Sequence, residues 1–177
     1  MKPVIERALP DSAERKTANA QMCELLSRPD PGPIAEHLAL LHFTGRRTGH
    51  PYIVPAGVHR LGQKLVVATG SPWRYNFAGG ANGELTWRGL RRPVRFMLVP
   101  DLETTAQGYV ELYRRYGAAA QRRLGITVDH GSEPGFTDFS DAVARCGLSL
   151  VEVLSRDPEC LKATPSTNTV PDERELA

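Results

Sequence analysis

Cysteine is scarce in this chain, and where it occurs it has no pattern. Cys23, Cys146 and Cys160 form an odd set without C-x-x-C spacing, which offers neither a disulfide framework nor a zinc site and suits a reducing compartment. Long apolar runs are missing as well. The longest, Leu38 to Phe43, is interrupted by His42 and is far too short to cross a bilayer. The N-terminal stretch lacks a basic-then-apolar signal pattern, so the expectation is a cytoplasmic protein with no integral membrane segment. No internal repeat is visible. His37, His42, His50, His59 and His130 have no metal-ligand spacing, so no metal is expected and each histidine reads as a hydrogen-bonded structural residue.

Acid is what the middle of the chain lacks most. Between His42 and Arg95 the basic residues are Arg46, Arg47, Arg60, Lys64, Arg74, Arg88, Arg91, Arg92 and Arg95, against the single acid Glu84. The formal net charge is only +2, but a segment so biased expects an anion. Nucleic acid is disfavoured as that anion, because exposed stacking aromatics do not recur along the candidate strands and the total charge is nearly balanced.

What is present is enough for one domain: 177 residues, 41% of them hydrophobic, can bury a sizeable core. Residues 11–27 carry Ala13, Ala18, Met22, Leu25 and Leu26 at roughly helical spacing, with Asp11 or Ser12 as N-cap and Pro29 beyond the end, and predict an amphipathic helix. After the breaker run at 28–33 the pattern becomes strand-like at 38–43, 52–60, 64–69, 84–88 and 93–99, separated by short turns. Strands joined this tightly cannot be βαβ crossovers, so the sheet is expected to be an antiparallel meander and not a doubly wound fold. One or two helical turns are expected at 72–78. Helix returns over 103–123 and 137–145, and a final strand over 148–154. The predicted class is mainly β with helices, that is α+β. The division is an N-terminal helix and linker over 1–33, a strand-rich domain over 34–155 with a helical insertion at about 103–146, and a tail over 156–177. That tail has too few apolar residues to repay ordering and is expected to be disordered.

Two loops carry the chemistry. The first is Phe43-Thr44-Gly45-Arg46-Arg47-Thr48-Gly49-His50-Pro51-Tyr52, whose glycines, guanidiniums and hydroxyl are groups that grip phosphate through backbone N–H and bidentate contacts. The second, Ala68-Thr69-Gly70-Ser71-Pro72-Trp73-Arg74-Tyr75-Asn76, could close over a flat ring. A strand meander whose first hairpin holds T-G-R-[RK]-[ST]-G and whose third strand leads into W-x-x-N resembles the deazaflavin-dependent nitroreductase family. Its fold is the split β-barrel of the FMN-binding, pyridoxamine-phosphate-oxidase-like proteins. The match runs from about Leu38 to Val99, and more loosely through the helix with Tyr113 and Arg114-Arg115-Tyr116.

That resemblance implies a site for reduced coenzyme F420, a deazaflavin with a phosphate and a polyglutamate tail, whose hydride passes to an electron-poor acceptor such as a quinone, nitro compound or activated double bond. By position, Arg46, Arg47, Thr48 and Gly49 would hold the phosphate and acidic tail. Tyr52, Val54 and Pro55 on the second strand would wall the tricycle, and Ala68, Thr69, Gly70 and Ser71 would contact its edge. Pro72, Trp73, Arg74, Tyr75 and Asn76 would cap it. Such a site demands no catalytic acid or base, although Tyr75, Tyr113 and Tyr116 are candidate proton donors. Tyr52 stands where family members commonly carry a basic residue, the loop before W-x-x-N is short, and Gly70 replaces a usual serine. These departures keep an FMN-binding reductase open as an alternative.

Each signal has a plainer reading. Arg46 and Arg47 could be a solvated hairpin tip, Trp73 a barrel-end core residue, and Asn76 a loop fixer. Tyr109, Tyr113 and Tyr116 fall on one helix face, where packing is the default. Arg88, Arg91, Arg92 and Arg95 read mainly as a solvated basic edge. A non-catalytic binding protein for a lipid or other apolar anion is the alternative from a different class. A homodimer is compatible with the fold, since split barrels often pair, but no interface pattern stands out.

Overall fold

The computed structural model describes residues 4–9, 11–129 and 133–155. The expectations for His130, Cys160 and the tail from 156 lie outside them. The chain runs β1 (Ile5–Arg7), α1 (Ser12–Leu26), β2 (Leu38–Thr44), β3 (Pro51–Leu61), β4 (Lys64–Thr69), a short 3₁₀ helix (Pro72–Phe77), β5 (Ala81–Trp87) and β6 (Leu90–Leu98). It continues through α2 (Leu102–Tyr116), α3 (Ala120–Leu124), β7 (Ile126–Val128), α4 (Phe136–Cys146) and β8 (Ser149–Leu154).

The fold is α+β, built on a closed antiparallel barrel in the order β2-β3-β4-β8-β6-β5. It is not a simple meander. β2 pairs with β5 to shut one seam, and β8 enters between β4 and β6. Period-2 alternation sorts the side chains. Ala39, Leu41, Phe43, Val58, Leu65, Val67, Leu85, Trp87, Val94, Phe96, Val151 and Val153 fill the lumen, joined by Phe77 from the 3₁₀ helix. The opposite faces of β4 and β8, at Val66 and Leu150, lie under the helical layer.

That layer is held by aromatic packing. Tyr109 is fully buried beside Phe139, with ring centroids 6.0 Å apart, and its hydroxyl donates to the Ser149 carbonyl at 3.0 Å. Tyr113, one turn along α2, also packs on Phe139, with ring centroids 5.6 Å apart. The helix expected over 103–123 breaks at Gly117, where φ is +54°, and resumes as α3. Asp101 caps α2, accepting from the Thr104 N–H at 2.9 Å and from the Thr104 hydroxyl. These bonds hold its carboxyl below the usual range.

Two expectations need correction at the N-terminus. Residues 1–33 are more than helix and linker, because β1 pairs antiparallel with β7 and buries Ile5 against the helical layer. A three-residue strand gives too short an alternation to be read from sequence. Helix α1 forms where expected, and Asp11 accepts from the Ala13 N–H at 2.7 Å, but it is not amphipathic. Ser12 to Gln21 are exposed, and only Met22, Cys23 and Leu26 at its far end pack against β2 through Leu40. The apolar residues that suggested a face, Ala13 and Ala18, are too small to define one. No helix among the described residues is long and apolar enough to cross a membrane.

Candidate functional site

The barrel wall parts beside the upper half of β3. Val58 donates its N–H to the His37 carbonyl at 2.9 Å, which sets the phase of the β2–β3 ladder. Tyr52, Val54, Ala56 and Val58 turn their backbone groups toward β2, and Pro51, Ile53, Pro55 and Gly57 turn theirs away. On that far side β4 meets β3 only from Val58–Val67 to Leu61–Lys64, while Ala68 and Thr69 pair with β8. The edge from Pro51 to Pro55 therefore has no strand partner among the described ladders, while the Gly57 carbonyl closes the β3–β4 ladder beside the Val58–Val67 pair. Pro51 and Pro55 bring no N–H to it, which is where a sheet tolerates proline.

Both predicted loops border this split. The hairpin tip between β2 and β3 is folded tightly: Gly45 donates to the His50 carbonyl at 2.8 Å, and Gly49, at φ +69°, donates to the Gly45 carbonyl at 2.9 Å. A Cβ on Gly45 would come 2.9 Å from both Thr48 Oγ1 and Tyr52 Cε2, so only glycine fits. Thr48 Oγ1 accepts from the His50 N–H at 3.2 Å. Residues Arg46 to His50 are exposed.

The tip is fastened to the second loop. Asn76 Oδ1 accepts from the Arg46 N–H at 2.8 Å, and Asn76 Nδ2 donates to the Trp73 carbonyl at 2.9 Å. The Arg46 guanidinium donates to the Ala78 carbonyl. Asn76 is thus the clasp between the two loops, and Arg46 spends its side chain holding them together. Arg47 makes no ion pair among the described residues and is the guanidinium of the pair left to face solvent. Trp73 sits over the end of the lumen, 6.0 Å from Phe43 and 6.0 Å from Phe77 by ring centroid. Tyr52 stacks on Phe43 at 5.5 Å.

The start of the second loop faces a different set of partners. Arg74 is 7% exposed and donates to the carbonyls of Gly70 at 2.8 Å and Ser71 at 3.0 Å and to the Tyr75 hydroxyl at 2.7 Å. Arg7 crosses Gly70 so closely that a Cβ there would lie 2.5 Å from Arg7 Nε. Thr69 Oγ1 accepts from the Ser71 N–H at 3.0 Å. At the far end of the loop Arg95 donates to the Gly79 carbonyl at 3.2 Å and to Asn82 at 3.3 Å. Arg46, Arg74 and Arg95 bond backbone carbonyls of the 70–80 connection, and the Arg7 side chain lies across Gly70. None of them has a carboxylate partner among the described residues, so their charges sum at this end of the barrel.

The remaining predicted residues scatter. Val54 points into the lumen and Ala68 into the helical layer, while Pro55 lies on the outer face. Tyr113 belongs to the Phe139 cluster. Tyr116 meets a residue that reads only as structural in sequence: its hydroxyl is 2.7 Å from His59 Nδ1, and the Arg123 guanidinium lies 3.9 Å over its ring. Burial raises the Tyr116 phenol's affinity for its proton. His59 is 3% exposed, and burial, then Arg123, Arg115 and His37, push its imidazole down to about 3. Its Nε2 has no partner among the described residues and stands against Gly57, where a Cβ would lie 3.3 Å away. Of the basic edge, Arg88 pairs with Glu36 at 2.7 Å and Arg91 with Glu84 at 3.0 Å, so these are not simply solvated. His42 bonds Thr86 Oγ1 at 2.7 Å, and burial, then Arg91, lower its affinity for a proton.

A flat, phosphate-bearing group fits these residues. The open strand edge presents carbonyls at Pro51, Ile53 and Pro55 and N–H groups at Ile53 and Gly57, and an uncommitted guanidinium stands at its upper end. Gly70 is the exception, because Arg7 already fills the space beside it.

No family model matches the chain, and a search of curated proteins finds no match. Among solved structures it is similar to Campylobacter jejuni ChuZ, at 13% identity and TM-score 0.37 over 83% of this chain. The chain spans 55% of the length of ChuZ. It is also similar to a candidate 5-nitroimidazole antibiotic resistance protein from Bacteroides thetaiotaomicron, at 11% identity and TM-score 0.38, covering 88% of this chain and 84% of that one. A third likeness is to the FAD and heme binding protein from Mycobacterium smegmatis, at 18% identity and TM-score 0.32, covering 89% and 91%. All three likenesses are distant.

Proposed function

We propose that the protein is an oxidoreductase that holds a deazaflavin, coenzyme F420, in the split between β3 and β4 and serves reduction of an electron-poor small molecule. The observation that carries this is the unpaired edge of β3 lying beside a loop ringed by guanidiniums without acidic partners. A bound deazaflavin supplies a hydride from its ring. The chain's own part is to bind, orient and keep water out.

Arg47, Thr48 and Gly49 would grip the phosphate and the acidic tail at the exposed hairpin tip. Arg46 and Asn76 act on that grip from behind, because their bonds fix the tip against the Trp73 turn. The backbone groups of Ile53, Pro55 and Gly57 offer donors and acceptors in line to a polar ring edge, as a neighbouring strand would. The cluster of Tyr52, Phe43, Trp73 and Phe77 dries the upper end of the lumen behind them. Tyr75 is 59% exposed, and its oxygen accepts from Arg74, which leaves its own proton free to be donated to a reduced product.

The test is a fluorescence titration with oxidised coenzyme F420 beside FMN. Saturable binding of the deazaflavin that weakens as salt rises is the expected result. Preference for FMN would move the reading to an FMN-binding reductase on the same groove, and binding of neither at low salt would overturn it. An apolar-anion binding protein would instead take a fatty acid or phospholipid and never turn over with any electron carrier.

A further inference from the structure

The far end of the barrel, away from the arginine-ringed mouth, is closed by Trp87. This indole is 8% exposed and packs with the lumen residues. Two guanidiniums stack on it: Arg88 Cζ lies 4.1 Å and Arg60 Cζ 5.5 Å from the ring. Arg60 stands in the same inward row of β3 as Ala56 and Val58, and Arg88 begins the turn into β6.

Three donors around this ring are buried and have no acceptor among the described residues: Trp87 Nε1, Arg60 Nη2 and Arg88 Nε. Buried N–H groups nearly always find a partner, and two of these three belong to cations. The carboxylate paired to Arg88 is that of Glu36, whose side chain is 56% exposed, and it engages Nη2 alone. Two positive charges face one negative charge there. Burial, then the charge of Arg88, lower the affinity of Arg60 for its proton, as expected where negative charge is in short supply. The backbone adds an independent sign. Arg88 sits at φ +54°, in a two-residue hairpin turn that suits Asn-Gly. A bulky side chain held in that left-handed region is strained, and such strain collects at ligand sites.

We propose that this end of the barrel is a second anion site, taking a small oxyanion, phosphate or carboxylate, between the guanidiniums of Arg60 and Arg88 and the indole N–H of Trp87. Such donors match an oxyanion because each bond is charge-assisted or made by a donor with no competing acceptor. The site rests on no part of the redox reading, and the length of β3 separates it from Arg47.

Inorganic phosphate, and acetate in a parallel arm, are titrated into ¹⁵N-labelled protein at constant ionic strength while the two indole N–H resonances are followed. The Trp87 resonance is assigned by its loss in Trp87→Phe. It is expected to move and saturate with at least one of the two anions, and the tighter one names the oxyanion class. Arg60→Gln and Arg88→Gln are each expected to weaken binding by roughly ten- to a hundredfold, while Arg47→Gln leaves it unchanged. A Trp87 resonance that stays fixed, or drifts linearly with both anions, overturns the site. So does saturation abolished by Arg47→Gln and untouched by Arg60→Gln. If the arginine variants fail to fold, the wild-type titration decides alone.

Discussion

Replacing His59 by Gln should change how the protein's stability responds to acid more than it changes stability at neutral pH. In the native state His59 is buried under α2 and α3, bonded to Tyr116, and its imidazole is pushed down from 6.5 to about 3. The sign follows from linkage. Between those two values the unfolded chain binds a proton that the native site refuses, so stability is full above pH 6.5 and declines as pH falls toward 3. The slope for one group is about 1.4 kcal/mol per pH unit, which gives a loss of about 2 kcal/mol at pH 5 relative to pH 8. For a domain of this size that is roughly 4–8 °C in Tm. Glutamine can keep a hydrogen bond to the Tyr116 hydroxyl without titrating. Urea unfolding of both proteins at pH 5, 6, 7 and 8 gives the difference in ΔG at each pH. Effects common to both, including that of His42, cancel in this difference. The wild-type advantage should shrink by about 2 kcal/mol from pH 8 to pH 5. Two curves that run parallel within about 0.5 kcal/mol would show that His59 is not held neutral by its surroundings.

Arg47→Gln should weaken binding of oxidised coenzyme F420 by about tenfold or more at low salt, and should flatten the salt dependence, as read by ligand fluorescence. Phe77→Ala removes a fully buried ring that touches Phe43, Trp73 and Phe96, and should cost about 3–5 kcal/mol in denaturant unfolding. Gly45→Ala drives a methyl into Thr48 and Tyr52. It should cost about 1–3 kcal/mol and lower cofactor affinity in the same titration, whereas Gly49→Ala should act through backbone strain alone.

The strands were legible as short β-forming runs bounded by turn residues, as at Lys64–Thr69 after its Gly62 turn, where Leu65 to Ala68 is continuously apolar because β4 is covered on both faces. The place of the last strand was not. Nothing local in Ser149–Leu154 says that it will lie between β4 and β6, since that choice is made by burial of Leu150 under the helices and Val151 in the lumen. At the candidate site, the adjacency of Arg46 and the Trp73 turn could be anticipated from two motifs at the ends of neighbouring strands. Which guanidinium would be consumed internally could not, because the Asn76 clasp and the Ala78 carbonyl meet Arg46 only through the fold. His59 was missed as a partner for Tyr116 for the same reason: the two lie far apart in sequence, and a lone histidine on an apolar strand gives no sign of what will cover it. Arg88 reads in sequence as part of a solvated basic edge, and Arg60 and Trp87 carry no signal of their own, because sequence cannot reveal that an inward-facing arginine will stack on an indole.

The way β8 enters the barrel ties assembly of the two layers together. The seam between β4 and β6 stays open until the whole helical segment has been traversed and folded back, so neither the sheet nor the helices can mature alone. Slow, non-local closure is the expected folding behaviour, with two raw strand edges exposed to other chains until it completes. Lesions in the distant aromatic packing around Phe139 should therefore surface as poor yield and self-association, long before any defect at the arginine-ringed mouth is seen.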